Sequence, residues 1–120
     1  MIQQQKLSHR FTLPNELFCL DLSHGAIAVY AYLLYIEDRK SYSCHPSYST
    51  IGDSVRMSPN TVRKYVSELV DKRLIRTENT TLWTKNGLKR NANLKYIILP
   101  IQEAVEYYYQ CQLAREGRPA

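Results

Sequence analysis

SYSTIGDSVRMSPNTVRKYVSELVDKRLI, residues 47–75, holds two helix starts in quick succession. Ser47 can cap a helix of about two turns over residues 48–55, because its hydroxyl can accept from an amide left free in the first turn. Ile51 and Val55, four apart, give that helix one apolar stripe. Ser58 is a second cap, and Pro59 suits the first helical position, where no amide donor is needed. Val62, Val66, Leu69 and Val70 then follow the i, i+4, i+7, i+8 pattern that defines a buried face. Asn60, Arg63, Lys64 and Ser67 fall on the opposite side. The acids of this helix, Glu68 and Asp71, come in its later half. Its first half is therefore cationic, although a helix dipole favours acids there.

Downstream of Leu74 the apolar period changes from helical spacing to two. Asn86-Gly87 is the strongest short hairpin signal, since both central positions of a type I′ turn need positive φ. Centring a hairpin there pairs Ile75 with Ile98, Thr77 with Tyr96, Asn79 with Leu94 and Trp83 with Arg90 on one face. The other face pairs Glu78 with Lys95, Thr80 with Asn93 and Thr84 with Lys89. A second turn, at residues 91–93, would leave shorter and unequal arms. The tip carries Lys85, Lys89 and Arg90 into solvent.

Upstream, Ser23 can cap a helix over residues 24–38 that is apolar on nearly all sides, as a central buried helix is. It carries Tyr30, Tyr32 and Tyr35, with at least one of them expected in the core. Residues 42–45 read as a short strand. Pro14 and Asn15 place a short turn before these elements, and residues 1–10 read as a polar arm. Pro100 opens a last helix over residues 100–115, with Ile101, Ala104, Val105 and Tyr108 as its apolar stripe and Glu103 in its first turn. Tyr107, Tyr108 and Tyr109 put aromatic rings on more than one of its faces, one of them suited to a second copy of the chain. Residues 116–120 read as a tail or a linker to a further C-terminal domain.

The composition bounds the function. The chain has 120 residues, 44% of them apolar, which suits one small domain with one core. Its longest uncharged apolar run, residues 26–36, is far short of the roughly 20 residues a membrane-spanning helix needs. The first residues lack the apolar stretch of a secretion signal, so a cytoplasmic protein is expected. No GxGxxG or GxxxxGK[ST] pattern is present. The three cysteines, Cys19, Cys44 and Cys111, form no CxxC and are expected as reduced thiols. The histidines, His9, His24 and His45, have no metal-ligand spacing, and adjacent Cys44 and His45 would point to opposite faces of a strand. Neither a metal nor another cofactor is expected, and no nucleophile or acid–base pair marks an enzyme. The net charge of +5 is unevenly spread: residues 56–95 hold ten bases against three acids. That stretch alone carries +7 and leaves −2 for the remainder. Such a basic surface calls for an anionic partner, of which a phosphate backbone is the commonest.

Helix, short strand, helix, tight turn, helix and long hairpin is the order of a winged helix-turn-helix, a mainly α fold with a β-hairpin wing. Residues 47–75 resemble the helix-turn-helix of bacterial winged-helix DNA binders. The match is carried by Pro46-Ser47, Ile51-Gly52, Met57-Ser58, Thr61-Val62, Leu69 and Leu74-Ile75. FTLPNELF, residues 11–18, before an apolar helix, is similar to the start of plasmid and phage replication-initiator N-terminal domains, the RepA-like group. The resemblance covers residues 11–99. The chain departs from the usual Gly-Leu-Ile ending by reading Arg73-Leu74-Ile75, which removes a glycine helix cap. The resemblance implies double-stranded DNA as the partner, a homodimer, and a bacterial nucleoid- or plasmid-associated protein working with other replication proteins. It places Ser58, Asn60, Thr61, Arg63, Lys64 and Ser67 on a recognition helix, in reach of base edges. It places Ser47, Tyr48, Ser49 and Arg56 against the phosphate backbone, and Lys85, Lys89 and Arg90 in the wing. Two alternatives remain open at this point: a small transcriptional regulator of the same fold, and a winged helix used for protein–protein assembly.

Overall fold

Three serines set three helix starts. The computed structural model describes residues 10–83, 85–87, 89–91 and 93–116. A 3-10 turn at Asn15–Cys19 leads to helix α1 (His24–Ile36), strand β1 (Ser43–Cys44), helix α2 (Tyr48–Val55) and helix α3 (Pro59–Asp71). Strands β2 (Ile75–Glu78), β3 (Thr81–Trp83), β4 (Lys89–Asn91) and β5 (Lys95–Ile98) follow, and helix α4 (Ile101–Glu116) closes the order. Ser23, Ser47 and Ser58 are extended residues whose hydroxyls accept from the amides of Ala26 at 3.4 Å, Thr50 at 3.0 Å and Thr61 at 3.2 Å. Each such cap contributes about 1 kcal/mol.

The core lies where α1, α2 and α3 meet the sheet. Leu17, Ala26, Val29, Leu33, Ile51, Val62, Leu69 and Leu74 are wholly buried, with Tyr30, Ile75, Tyr96 and Ala104 at 1% exposure. Fully burying one such aliphatic side chain stabilises by roughly 1.5–3 kcal/mol. Val70, expected among them, is 37% exposed. At 3.6 residues per turn it sits about 80° around α3 from Val62, at the rim of the stripe rather than its centre. Helix α1 is less enclosed than its sequence implied: Tyr30 is buried, Tyr32 half-buried and Tyr35 exposed. Tyr35 instead leans on Tyr32 and Phe11, with ring centroids 6.2 and 5.8 Å away.

Helix α1 ends at Ile36, two residues earlier than expected, because the next amides are bonded elsewhere. The Asp38 amide donates to the Ser43 carbonyl at 2.9 Å and the Tyr42 amide to the Asp38 carbonyl at 2.6 Å. This loop puts Tyr42 at φ 55, outside the strand region, which shortens the expected strand 42–45 to Ser43–Cys44. Helix α4 runs one residue past its expected end and begins after Pro100. Its stripe docks as expected, with Ala104 buried and Ile101, Val105 and Tyr108 packed against the core.

The sheet has the order β1-β5-β2, antiparallel throughout, and β3-β4 forms a separate ladder. At the base the expected register holds, with Ile75 opposite Ile98, Thr77 opposite Tyr96 and Glu78 opposite Lys95. At the tip it slips by one, with Leu82 opposite Arg90 and Trp83 opposite Lys89 instead of Trp83 opposite Arg90. The returning arm uses four steps from Asn91 to Lys95, the outgoing arm three from Glu78 to Thr81. The extra residue is accommodated by side-chain bonds around Asn93. Thr80 Oγ1 donates to its carbonyl at 2.6 Å, and its Nδ2 donates to the His45 carbonyl at 3.2 Å. A one-residue slip exchanges the two faces of everything beyond it. The tip is also not a type I′ turn: Gly87 has φ 77, but Asn86 is not in the left-handed region. The expected Thr84–Lys89 pair, most of the 1–10 arm and most of the 116–120 tail fall outside the described residues.

These elements make a winged helix-turn-helix: mostly helical, with a three-stranded antiparallel sheet and a hairpin extending from it. Among the described residues no helix is long and apolar enough to cross a membrane, and no group of three His, Cys, Asp or Glu is placed to hold a metal ion.

Candidate nucleic-acid interface

The angle between α2 and α3 is fixed by a tight turn. The Met57 amide donates to the Gly52 carbonyl at 2.9 Å, and Arg56 caps α2 in the left-handed conformation at φ 63, ψ 50. Gly52 is buried, and a Cβ there would run into the Met57 carbonyl. With Val62, Val66 and Leu69 turned inward, Asn60, Arg63, Lys64 and Ser67 are all exposed. Arg63 and Lys64 make no ion pair with a carboxylate: among the described residues the single ion pair is Arg76 with Glu78, at 3.5 Å.

Two tyrosines support these cations. The Arg63 guanidinium lies 5.7 Å from the centre of the half-buried Tyr48 ring, and the Lys64 ammonium 5.2 Å from that of Tyr65. A cation over an aromatic face is attracted by the ring quadrupole, by roughly 0.5–1 kcal/mol where water can reach it. The first contact crosses from α3 to the first residue of α2. Tyr48 and Arg63, two residues expected at a DNA surface for different reasons, therefore meet where α2 and α3 join. Tyr48 also lines a cavity of about 210 Å³ with Pro46, Ser47, Asn93 and Leu94, where the start of α2 meets the base of the hairpin.

Not every selected group is free. The Ser58 hydroxyl is bonded to the Thr61 amide and hydroxyl, the latter at 2.9 Å, and Ser47 binds Thr50 in the same way. Ser47, Ser58 and Thr61 therefore hold helix ends together before they can meet anything else. Ser49 and Arg56 are exposed, as is Lys85 in the hairpin; the side chains of Lys89 and Arg90 lie outside the described residues.

Sequence reading missed the anchoring end of α3. Glu68 accepts from the Ser23 amide at 2.8 Å and from the Ser23 hydroxyl at 2.7 Å, which ties α3 to the first residues of α1. Lys72 Nζ donates to the carbonyls of Leu20 at 3.2 Å and Asp21 at 2.6 Å. Lys72 thus belongs to the scaffold rather than to the basic surface in which its charge was counted. Arg73 takes the left-handed position, φ 65, that a glycine usually fills, and its guanidinium sits 4.5 Å from the Tyr107 ring centre. The Leu74 amide then donates to the Leu69 carbonyl at 3.0 Å and the Arg73 amide to the Val70 carbonyl at 3.1 Å. Those two bonds are a Schellman closure. The i, i+4 spacing of Glu68 and Lys72 could have flagged the pair, but their partners lie 45 to 52 residues upstream.

Residues 20–75 match the family described as "Helix-turn-helix domain". No curated protein matches the chain. Among solved structures, the chain is similar to a "Possible transcriptional regulator from Methanosarcina mazei Go1", with a TM-score of 0.54 and 19% identity over 84% of this chain and 79% of that one. A MarR family transcription regulator gives 0.47 and 13% over 83% and 58%. The Staphylococcus aureus protein MepR, in a DNA complex, gives 0.46 and 13% over 94% and 81%.

Proposed function

We propose that the chain is a non-catalytic DNA-binding protein that reads duplex DNA with the first half of α3, in the role of a small transcriptional regulator. The observation that carries this reading is the exposed, carboxylate-free pair Arg63 and Lys64, backed by Asn60 and Ser67 and opposed by three buried apolar residues. A major groove admits an α-helix. Arg63 is suited to a bidentate contact with guanine and Asn60 to one with adenine, while Lys64, Ser49, Arg56 and the hairpin cations suit phosphates. The regulator role is preferred to the replication-initiator role that FTLPNELF suggested, because the Methanosarcina mazei protein of like fold is described as a regulator. In this reading two copies pair through the aromatic last helix, whose Tyr109 and Leu113 are 59% and 67% exposed.

The test is a gel shift on random duplex DNA across a salt series. Five to seven phosphate contacts give a log–log slope on the order of −5 to −6. The combined substitutions Arg63→Ala, Lys64→Ala and Lys89→Ala abolish the shift; binding unchanged by all three overturns the reading. A monomer mass in light scattering at tens of micromolar would remove the dimer.

A further inference from the structure

On the side of α1 away from the Ser23 cap, a cavity of about 630 Å³ opens between the chain's N-terminal segment, the end of α1 and the junction of β5 with α4. Its walls are chiefly apolar: Leu13, Pro14, Leu34, Ile98 and Ile101, with Glu37 among them. Glu37 also lines an adjoining cavity of about 270 Å³, more polar and flanked by Arg39. One carboxylate therefore stands at the junction of an apolar chamber and a polar mouth. Glu37 Oε2 is buried and makes no hydrogen bond, and among the described residues it is the single buried side-chain oxygen or nitrogen in that state. Arg39, two residues on, makes no ion pair with it.

An unpartnered buried carboxylate oxygen is costly, and a folded protein keeps such a group where something else completes it. An ionised carboxylate only accepts hydrogen bonds, so the completing group must donate, and a cationic donor gains the most. The chamber falls within the roughly 300–1,000 Å³ of small-molecule sites, which are mostly apolar with a few placed polar groups. Burial raises the Glu37 carboxyl above its ordinary range, with the nearby Arg39 charge pulling it the other way. We infer that this cavity binds a small amphipathic amine, its ammonium on Glu37 and its apolar body against Leu34, Ile98 and Ile101. The site is independent of the DNA-reading face, and its test contains no DNA.

The experiment is calorimetric titration of the full chain at neutral pH with 2-phenylethylamine, 2-phenylethanol and phenylacetate, three probes that share one body and differ in the head group. The amine is expected to bind at least about tenfold more tightly than the alcohol, the difference one charge-assisted hydrogen bond makes, with phenylacetate weakest. Glu37→Gln is expected to level amine and alcohol. Equal binding of amine and alcohol by the unaltered chain overturns the proposal, as does an amine preference that survives Glu37→Gln. Absence of amine binding at about 10 mM overturns it as well. The head-group comparison on the unaltered chain does not depend on the variant folding.

Discussion

The two halves of α3 put the same residue types to opposite uses. In the first half, Arg63 and Lys64 face outward with only aromatic rings beneath them. In the second half and its cap, Lys72 is bonded to two backbone carbonyls and Arg73 lies over Tyr107, while Glu68 holds Ser23. Charge on a helix is therefore not a surface property as such. What separates the halves is whether another element lies within reach: the residues before α1 cross the end of α3 and leave its beginning open.

The comparison breaks first if the two pairs of cations are equivalent. Replacing Arg63 and Lys64 with alanine should weaken duplex DNA binding by about 3 kcal/mol or more, on the order of a hundredfold, since each base or phosphate contact is worth roughly 1–3 kcal/mol. Stability should fall by no more than about 1–2 kcal/mol, the attraction of the two exposed cations to Tyr48 and Tyr65. Lys72→Ala should lower the urea midpoint while leaving DNA affinity of the folded protein in place. Equal DNA losses in the two variants would dissolve the distinction.

Glu68→Ala tests the anchoring half from its acidic side. It removes two hydrogen bonds to a charged acceptor and leaves the Ser23 amide without its partner, which should cost about 2–3 kcal/mol in urea denaturation. Retained stability would mean that α1 and α3 are held by apolar packing alone.

Behind both halves lies a core whose tyrosines should resist ionisation. Burial, aided by the Glu37 charge, pushes Tyr30 up to about 12, and burial raises Tyr96 as well. A phenol that ionises less readily folded than unfolded stabilises the fold below the unfolded value near 10. That contribution is lost as pH rises from about 10 towards 12, by on the order of 2 kcal/mol for Tyr30. Tyrosinate absorbance should therefore show these groups ionising together with the loss of helical circular dichroism. Full ionisation of all ten tyrosines in a still-folded chain would contradict the burial.

The caps, the helix-turn-helix and the base of the hairpin were legible in the sequence because each rests on local chemistry. A serine three residues before an amide, a proline at a helix start and a period-two run all act within one turn or one strand pair. The tip register was not legible, because it depends on Asn93 reaching the His45 carbonyl, 48 residues away. Val70 was misassigned for a related reason: spacing marks the stripe, but the neighbours decide how wide it is. The exposed face of α3 follows from the spacing of Asn60, Arg63, Lys64 and Ser67, whereas the Tyr48 ring that supports Arg63 depends on how α2 packs on α3.

The smallest effect compares the two left-handed residues that flank α3, Arg56 before it and Arg73 after it. Arg56 and Arg73 both occupy the left-handed region, at φ 63 and φ 65, where a side chain costs roughly 1–2 kcal/mol that glycine does not pay. Glycine at either position should relieve that strain, less the entropy glycine loses on folding. Arg56→Gly should therefore raise the urea midpoint by the equivalent of about 0.5–1 kcal/mol while weakening DNA binding by a phosphate contact and reducing the salt slope by about 1. Arg73→Gly should gain less, because it gives up about 0.5–1 kcal/mol of attraction to Tyr107. It should leave DNA affinity and salt slope where they were. A salt slope that falls equally in both variants would place Arg73 on the DNA-facing surface and move the boundary between the two halves past the end of α3.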